Sequence, residues 1–127
     1  MRNPHDLLIY QRADPFALDV HHACERLPTR RAPGLRAQIL EAADSIPSNI
    51  AEGCGRDTDR QLAHFISISI ASANELESHL RRASALSLLN ARKADRLIDE
   101  LIQIRRMMIA FRKALLRREN DEGSSDE

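Results

Sequence analysis

The chain has 127 residues, its 19 Lys and Arg balance 19 Asp and Glu, and only 3% of its residues are aromatic. This length fits one domain with a core of its own, and an aliphatic composition poor in glycine favours helices over a sheet. No stretch reaches the roughly 18 apolar residues of a membrane span, and the N-terminus lacks a signal peptide's apolar segment. We therefore expect a cytoplasmic protein without membrane association, in which Cys24 and Cys54 are small hydrophobic residues rather than a disulfide or metal ligands.

The N-terminal segment is predicted to be an arm over residues 1–13, followed by the first helix over residues 14–27. Asp14 and Pro15 are typical of a helix start, because Asp caps helix N-termini and proline is favoured at the first helical position. A start nearer Leu8 is the alternative, and it would place Pro15 inside the helix.

The second helix is predicted over residues 35–53, with Pro47 inside it. A proline in a helix removes one backbone hydrogen bond and crowds the preceding turn, at a cost of about 3 kcal/mol. We therefore expect a kink at this point. Ser45, Ser48 and Asn49 have small polar side chains that can bond backbone carbonyls there.

The third and fourth helices are predicted over residues 58–88 and 90–118, and both carry more apolar residues than one stripe needs. The additional ones are Ile68 and Ile70 on the third helix, and Ile98, Ile102, Ile109 and Leu116 on the fourth. Broad apolar faces of this kind indicate burial on two sides, one in the core of the subunit and one against another subunit.

Four helices joined by short connections predict an all-α, antiparallel up-and-down four-helix bundle over residues 14–118. The last nine residues, 119–127, contain five acidic residues and no basic one. We expect this segment to be a disordered acidic tail, because it has nothing to bury.

Several segments together resemble one known family. The run Ser45–Gly53 reads S-I-P-S-N-I-A-E-G, and Gly55-Arg56, Phe65-Ile66 and the A-S-x-x-E-L-E-x-x-L pattern of Ala71–Leu80 follow it. Asp6–Gln11 and Gly34–Ile39 resemble the beginnings of that family's first and second helices. These segments resemble the small four-helix-bundle proteins encoded in intervening sequences of bacterial 23S rRNA genes. The family-like positions singled out here are Ser45, Pro47, Asn49, Glu52, Gly53, Arg56, Ser72 and Glu75.

The resemblance implies a bundle that assembles into a ring, typically a homopentamer. The chain is also similar to the accessory variability protein of diversity-generating retroelements, which works beside a reverse transcriptase and binds nucleic acid. Two positions depart from the family pattern. Ala71 stands where the family commonly has glycine, and Pro15 is unusual where the family has a continuous first helix.

The basic residues are concentrated late in the chain, because the segment Arg81–Arg118 has eleven Lys or Arg and three acids, a balance of +8. Arginines bind phosphate through paired hydrogen bonds, so this segment predicts a nucleic-acid surface that recognises phosphates without sequence preference. The predicted residues are Arg81, Arg82, Arg92, Lys93, Arg96, Arg106, Lys113 and Arg117. Phe111 is the single aromatic residue among them, so stacking of bases is not indicated.

The other interpretation of the basic segment is that its arginines are solvated, or pair with Asp95, Asp99, Glu100 and neighbouring subunits. The acidic tail could also fold over the basic surface and compete with nucleic acid.

Catalysis is not indicated by any motif in the chain. Glu52, Glu75 and Glu77 are interpreted as partners of Arg56, of serines or of free backbone groups, because unpaired buried acids are costly. The di-iron pattern Glu-x-x-His is absent, and no nucleophile motif or phosphate-binding glycine loop occurs.

We therefore expect a protein that is not an enzyme and has no metal or cofactor. The leading hypothesis is an oligomeric scaffold that binds RNA or DNA, with a nucleic-acid enzyme such as a reverse transcriptase as a partner. The alternatives are a protein–protein adaptor and a metal–carboxylate enzyme that uses Glu52, Glu75 and His79.

Overall fold

The computed structural model describes residues 1–125, with side chains described through residue 121. A short 3-10 turn over Pro4–Asp6 precedes four α-helices. They are α1 (Leu8–Ala23), α2 (Leu35–Cys54), α3 (Asp59–Ala85) and α4 (Ala91–Ser125), and residues 1–125 contain no strand. Each helix packs on the next, and α4 also packs on α1, which is the order of neighbours in an up-and-down bundle.

Helix α1 begins at Leu8, so the N-terminal arm ends at Leu7 rather than at residue 13. Ile9 and Ala13 are buried, and each lies about one turn before the next, so they extend the apolar stripe of Phe16 towards the N-terminus. This burial stabilises the early turns although Pro15 lies inside the helix, with its ring exposed to solvent. Local capping preferences favoured a start of the helix at Asp14. The helix starts earlier because the packing of the preceding turns outweighs those preferences.

The ends of the middle helices follow local rules of capping. Gly34 precedes α2 with φ of 83°, a left-handed conformation that glycine adopts without strain. Thr58 and Gln61 form a capping box at the start of α3, each side chain bonding the other residue's backbone N–H. Asn90 Oδ1 accepts hydrogen bonds from the two N–H groups of Arg92 and Lys93, which makes Asn90 the N-cap of α4.

Helix α4 is longer than predicted and runs to Ser125 instead of residue 118. Residues 119–125 of the expected disordered tail are therefore helical, whereas residues 126–127 lie outside the described residues. The sequence places no proline after Leu115, the last buried residue among the side chains described, so the backbone hydrogen bonds of the helix can continue past the end of the core.

The core is aliphatic, as predicted from the composition. Its largest fully buried side chains include Phe16, Ile39, Ile46, Ile50, Ile66, Leu76, Leu80, Leu101, Ile104 and Met108. Cys24 and Cys54 are buried free cysteines, and burial raises the pKa of both thiols. None of the helices within residues 1–125 combines the length and the hydropathy that crossing a membrane requires.

Candidate nucleic-acid interface

Side chains bond the backbone of α2 in the turn before Pro47. The proline leaves the carbonyl of Ala43 without its usual donor, and side-chain donors reach the carbonyls that follow it. Ser48 Oγ donates to the Asp44 carbonyl at 2.8 Å, and Asn49 Nδ2 donates to the Ser45 carbonyl at 2.8 Å. This part of the family-like motif is thus a set of local bonds that hold the helix around its proline.

The same turn is joined to α3 by serine hydroxyls. Ser69, fully buried, donates to the Ile46 carbonyl at 2.9 Å, and the hydroxyls of Ser45 and Ser72 lie 2.7 Å apart. Asn49 Nδ2 also reaches Ser45 Oγ at 2.9 Å. These polar groups form hydrogen bonds with one another at the interface of α2 and α3, which gives Ser45, Asn49 and Ser72 a structural role.

The end of the motif brings α2 and α3 close together. Gly53 is buried, and a Cβ atom placed on it would lie 2.7 Å from Leu62 Cδ1 and 2.9 Å from Phe65 Cβ. Glu52 accepts a hydrogen bond from Arg56 at 2.8 Å, and the Arg56 guanidinium lies 4.9 Å from the centre of the Phe65 ring. Gly53 therefore sets how closely Phe65 approaches α2.

The remaining acids of the motif also have partners. Glu75 lies 3.3 Å from the ring nitrogen of His79, and Glu52 pairs with Arg56 instead of joining them. Within the described residues, no group of three His, Cys, Asp or Glu side chains is placed to hold a metal ion. The three residues named for a metal–carboxylate enzyme are thus not brought together as one cluster.

Glu77 lies between two arginines. It accepts hydrogen bonds from Arg105 at 2.8 Å and from Arg81 at 2.9 Å, and these bonds lower the pKa of its carboxyl group below the usual value. Because Glu77 is on α3 and Arg105 is on α4, this ion pair stabilises the contact between the two helices.

We expect Glu77→Gln to lower the free energy of unfolding at pH 7 by about 1–2 kcal/mol, because a charged hydrogen bond is lost. A lowered pKa contributes stability above the ordinary value of 4.5, and that contribution is lost as the pH falls towards the folded-state pKa. The difference between wild type and variant should therefore shrink below about pH 4.5. Urea unfolding followed by circular dichroism at pH 7, 5 and 3 measures it.

Glu41→Gln is the matched control, since Glu41 is exposed on α2 and forms no ion pair within the described part of the chain. Equal destabilisation by both substitutions, or a difference for Glu77 that does not depend on pH, would contradict this role.

All eight residues predicted to bind nucleic acid are exposed. Five of them, Arg92, Arg96, Arg106, Lys113 and Arg117, follow one another at steps of four, ten, seven and four residues, which keep them on one side of α4. We name these five residues the basic face of α4. At 1.5 Å per residue, the face is about 38 Å long.

Few acids oppose the basic face. Among residues 1–121, its five cations form no ion pair, whereas Arg81 pairs with Glu77. Glu100 bonds Arg12 on α1, with 2.9 Å between Oε1 and Nε, so it does not neutralise the face. Asp95 and Asp99 are exposed on α4 and reduce the local charge without forming an ion pair with a described residue.

The other three predicted residues, Arg81, Arg82 and Lys93, are not part of this face. Arg82 is near the end of α3, and Lys93 joins Arg96 in lining a cleft of about 640 Å³ between α1 and α4. Arg12 and His22 of α1 line the same cleft. Sequence reasoning missed both residues, because only the packing of α1 on α4 brings them to the basic segment.

A second cleft combines basic and aromatic side chains. It measures about 460 Å³ and is lined by Arg56, Arg60, Gln61, His64 and Phe65, where α2 ends and α3 begins. Phe111 is the single aromatic residue of residues 81–118, and the fold provides another, Phe65, beside the arginines of this cleft. The four-residue spacing of Arg60 and His64, followed directly by Phe65, is the signal that could have indicated this cleft.

The exposed apolar residues of α4 lie on two sides of the basic face. Ile109 and Leu116 are each 41% exposed on one side, and on the other Met107 and Phe111 line an apolar cleft of about 400 Å³ with Leu8. The predicted second apolar sector is thus smaller than expected, because its members Ile70 and Ile98 are buried in the core of the single chain.

Comparison with known proteins gives a family and a fold. The family model described as 23S rRNA-intervening sequence protein matches residues 5–110. A solved structure from Bacteroides thetaiotaomicron VPI-5482, described as a protein with unknown function from the S23 ribosomal protein family, has a TM-score of 0.77 and 19% identity. The match covers 84% of this chain and 99% of that one, and no curated protein matches the chain.

Proposed function

Because the chain belongs to the family of 23S rRNA-intervening sequence proteins, we propose that it is a non-catalytic, oligomeric bundle that binds RNA or DNA. It does so through the basic face of α4, as a scaffold or accessory factor in the cytoplasm. The observation that carries the proposal is the row of five exposed cations that form no ion pair with the described residues. Exposed, unpaired arginines are free to form paired hydrogen bonds with phosphate oxygens.

The two apolar sides of α4 support a ring. A head-to-tail interface needs two different surfaces on each subunit, and it closes into a ring when the rotation between subunits permits. Ile109 and Leu116 supply one such surface, and the cleft lined by Leu8, Met107 and Phe111 supplies the other. A homopentamer, the antiparallel order of the helices and a bend at Pro47 belong to this proposal, following the family resemblance.

A ring repeats the basic face once in every subunit. The summed potential of the repeated cations then attracts a polyanion more strongly than one subunit does. Binding of this kind releases counterions from the nucleic acid, so the affinity should fall steeply with salt and depend little on sequence. An enzyme that acts on nucleic acid, such as a reverse transcriptase, is the partner that this scaffold would serve.

The direct test measures binding of labelled RNA and DNA of mixed sequence at 50 and 200 mM salt, with light scattering to count subunits. We expect an oligomer whose affinity falls about 10³-fold or more over this range, if six or more phosphates are contacted. Absence of binding at the lower salt would overturn the nucleic-acid proposal, and a monomer at high concentration would overturn the ring.

The second candidate function is an adaptor that binds another protein. The apolar cleft beside Leu8 favours it, because this side chain is 61% exposed and apolar clefts are common binding sites for side chains of partners. Recovery of one specific protein in a pull-down that nuclease treatment does not change would support the adaptor over the nucleic-acid scaffold.

A further inference from the structure

Three flat groups lie in succession at the junction of α2 and α3. The Arg56 guanidinium carbon is 4.9 Å from the centre of the Phe65 ring, and the His64 ring meets the Phe65 ring edge to face, with 5.5 Å between centres. Arg56 and His64 are exposed, whereas Phe65 is half-buried between them. The outer two groups therefore offer flat surfaces to solvent, supported by an aromatic ring that cannot easily move.

The guanidinium and the ring are held in place before any ligand binds. Glu52, one helical turn earlier, bonds Arg56 at 2.8 Å and keeps its guanidinium over the ring. Phe65 is fixed from behind by its close approach to the backbone of Gly53. Fixed side chains lose little freedom on binding, which favours affinity.

The polar groups of the cleft suit a nucleotide. Arg60 is exposed and forms no ion pair with any residue that the structure describes, and it lies in the first turn of α3, where the helix dipole favours anions. Gln61 uses Oε1 to accept from the N–H groups of Asp57 and Thr58, which leaves its amide nitrogen as a donor in the cleft. The volume of about 460 Å³ is within the range of small-ligand sites, roughly 300–1,000 Å³.

We propose that this cleft binds an unpaired base of a single-stranded nucleic acid, and we name it the stacking cleft. The base stacks on the Arg56 guanidinium or the His64 ring, and its phosphate contacts Arg60. Aromatic rings and guanidinium planes are the usual stacking partners of unpaired bases in proteins. The inference rests on the proposed function and narrows it, because the basic face of α4 then supplies general attraction and the stacking cleft supplies preference for single strands.

The experiment uses the full chain and three probes of equal length: a single strand with 2-aminopurine, the same strand with abasic sites, and a duplex. Each is made as RNA and as DNA, except that the abasic strand is made as DNA alone. Quenching of 2-aminopurine reports stacking, and competition gives the affinity for each probe. We expect the single strand with bases to bind about fivefold or more tightly than the abasic strand, since one stacked base contributes about 1–3 kcal/mol.

Arg56→Lys is the decisive variant, because lysine keeps the charge but lacks the planar group that stacks. His64→Ala is the second variant, and its position on the exposed side of α3 leaves the core unchanged. We expect the variant that removes the stacking partner to lose quenching and preference for bases, while affinity for the duplex changes less than twofold in both variants. Arg26→Lys, at an exposed site after α1, is the control. It should change neither the quenching nor the preference for strands with bases.

Three results would overturn the stacking cleft: equal affinity for strands with and without bases, unchanged quenching in both variants, or equal loss of single-strand and duplex binding. In each case binding to nucleic acid through the basic face of α4 could still stand. If no probe binds at 50 mM salt, the proposed function itself is overturned, and the stacking cleft with it.

Discussion

The double substitution Arg106→Glu/Lys113→Glu is expected to weaken binding of RNA and DNA on the order of 10²-fold at 50 mM salt. Both residues are exposed on the basic face of α4, seven positions apart, so they lie on the same side of the helix. Each substitution removes a cation and adds an anion beside the phosphates. The slope of log affinity against log salt should become shallower by about 1.8, since each lost phosphate contact accounts for about 0.9.

The matched control for this experiment is Arg26→Glu/Arg30→Glu. It changes the net charge by the same amount at two exposed positions between α1 and α2, outside the basic face. We expect a loss of affinity below about threefold, caused by the weaker overall field alone. Equal losses in the two double variants would show that only net charge matters, and the basic face of α4 would not be the binding surface.

Stability is not expected to change in either double variant. Glutamate, lysine and arginine have similar helix propensities, which applies to the two positions on α4, and substitutions at exposed positions usually alter the free energy of unfolding by less than about 0.5 kcal/mol. Urea unfolding of the variants checks this before binding is compared. A loss of binding can then be assigned to the surface rather than to the fold.

The fold was predictable because the pattern of apolar residues repeats with helical periodicity over long segments. The spacing of Leu97, Leu101, Ile104 and Met108 alone indicates which side of α4 faces the core, and all four are buried. Asn90 was identifiable as a cap, since capping depends on residues adjacent in sequence. The start of α1 was harder, because the burial of Ile9 is a property of tertiary packing.

The candidate site was predictable only in part. The basic face of α4 depends on a single helix, so the sequence was enough to place its residues on one side. The stacking cleft depends on how Gly53 lets Phe65 approach α2, which brings the ring under Arg56. Contacts between residues of different helices are not contained in a helical pattern, which is also why the bond between Arg12 and Glu100 was missed.

Gly53→Ala is expected to lower the free energy of unfolding by about 1–3 kcal/mol, the usual cost of overpacking a core. Helix propensity alone predicts the opposite sign, because alanine stabilises a helix interior by about 1 kcal/mol relative to glycine. The added Cβ would meet Leu62 Cδ1 at 2.7 Å and Phe65 Cβ at 2.9 Å. Leu62 is buried and Phe65 Cβ is attached to the backbone, so α2 and α3 must move apart to admit it.

Gly55→Ala provides the matched control two residues later. Gly55 follows α2 with φ of −78°, and the nearest atom to a Cβ there is the Glu52 carbonyl oxygen at 3.5 Å. Alanine adopts this conformation without strain, so the substitution should be neutral or stabilise by about 0.4–1 kcal/mol through the unfolded chain. Urea unfolding of both variants shows whether each substitution raises or lowers the free energy of unfolding. If Gly53→Ala stabilises the protein as Gly55→Ala does, Gly53 is not required for the close approach of α2 and α3. Gly53 would then not be what holds Phe65 in place in the stacking cleft.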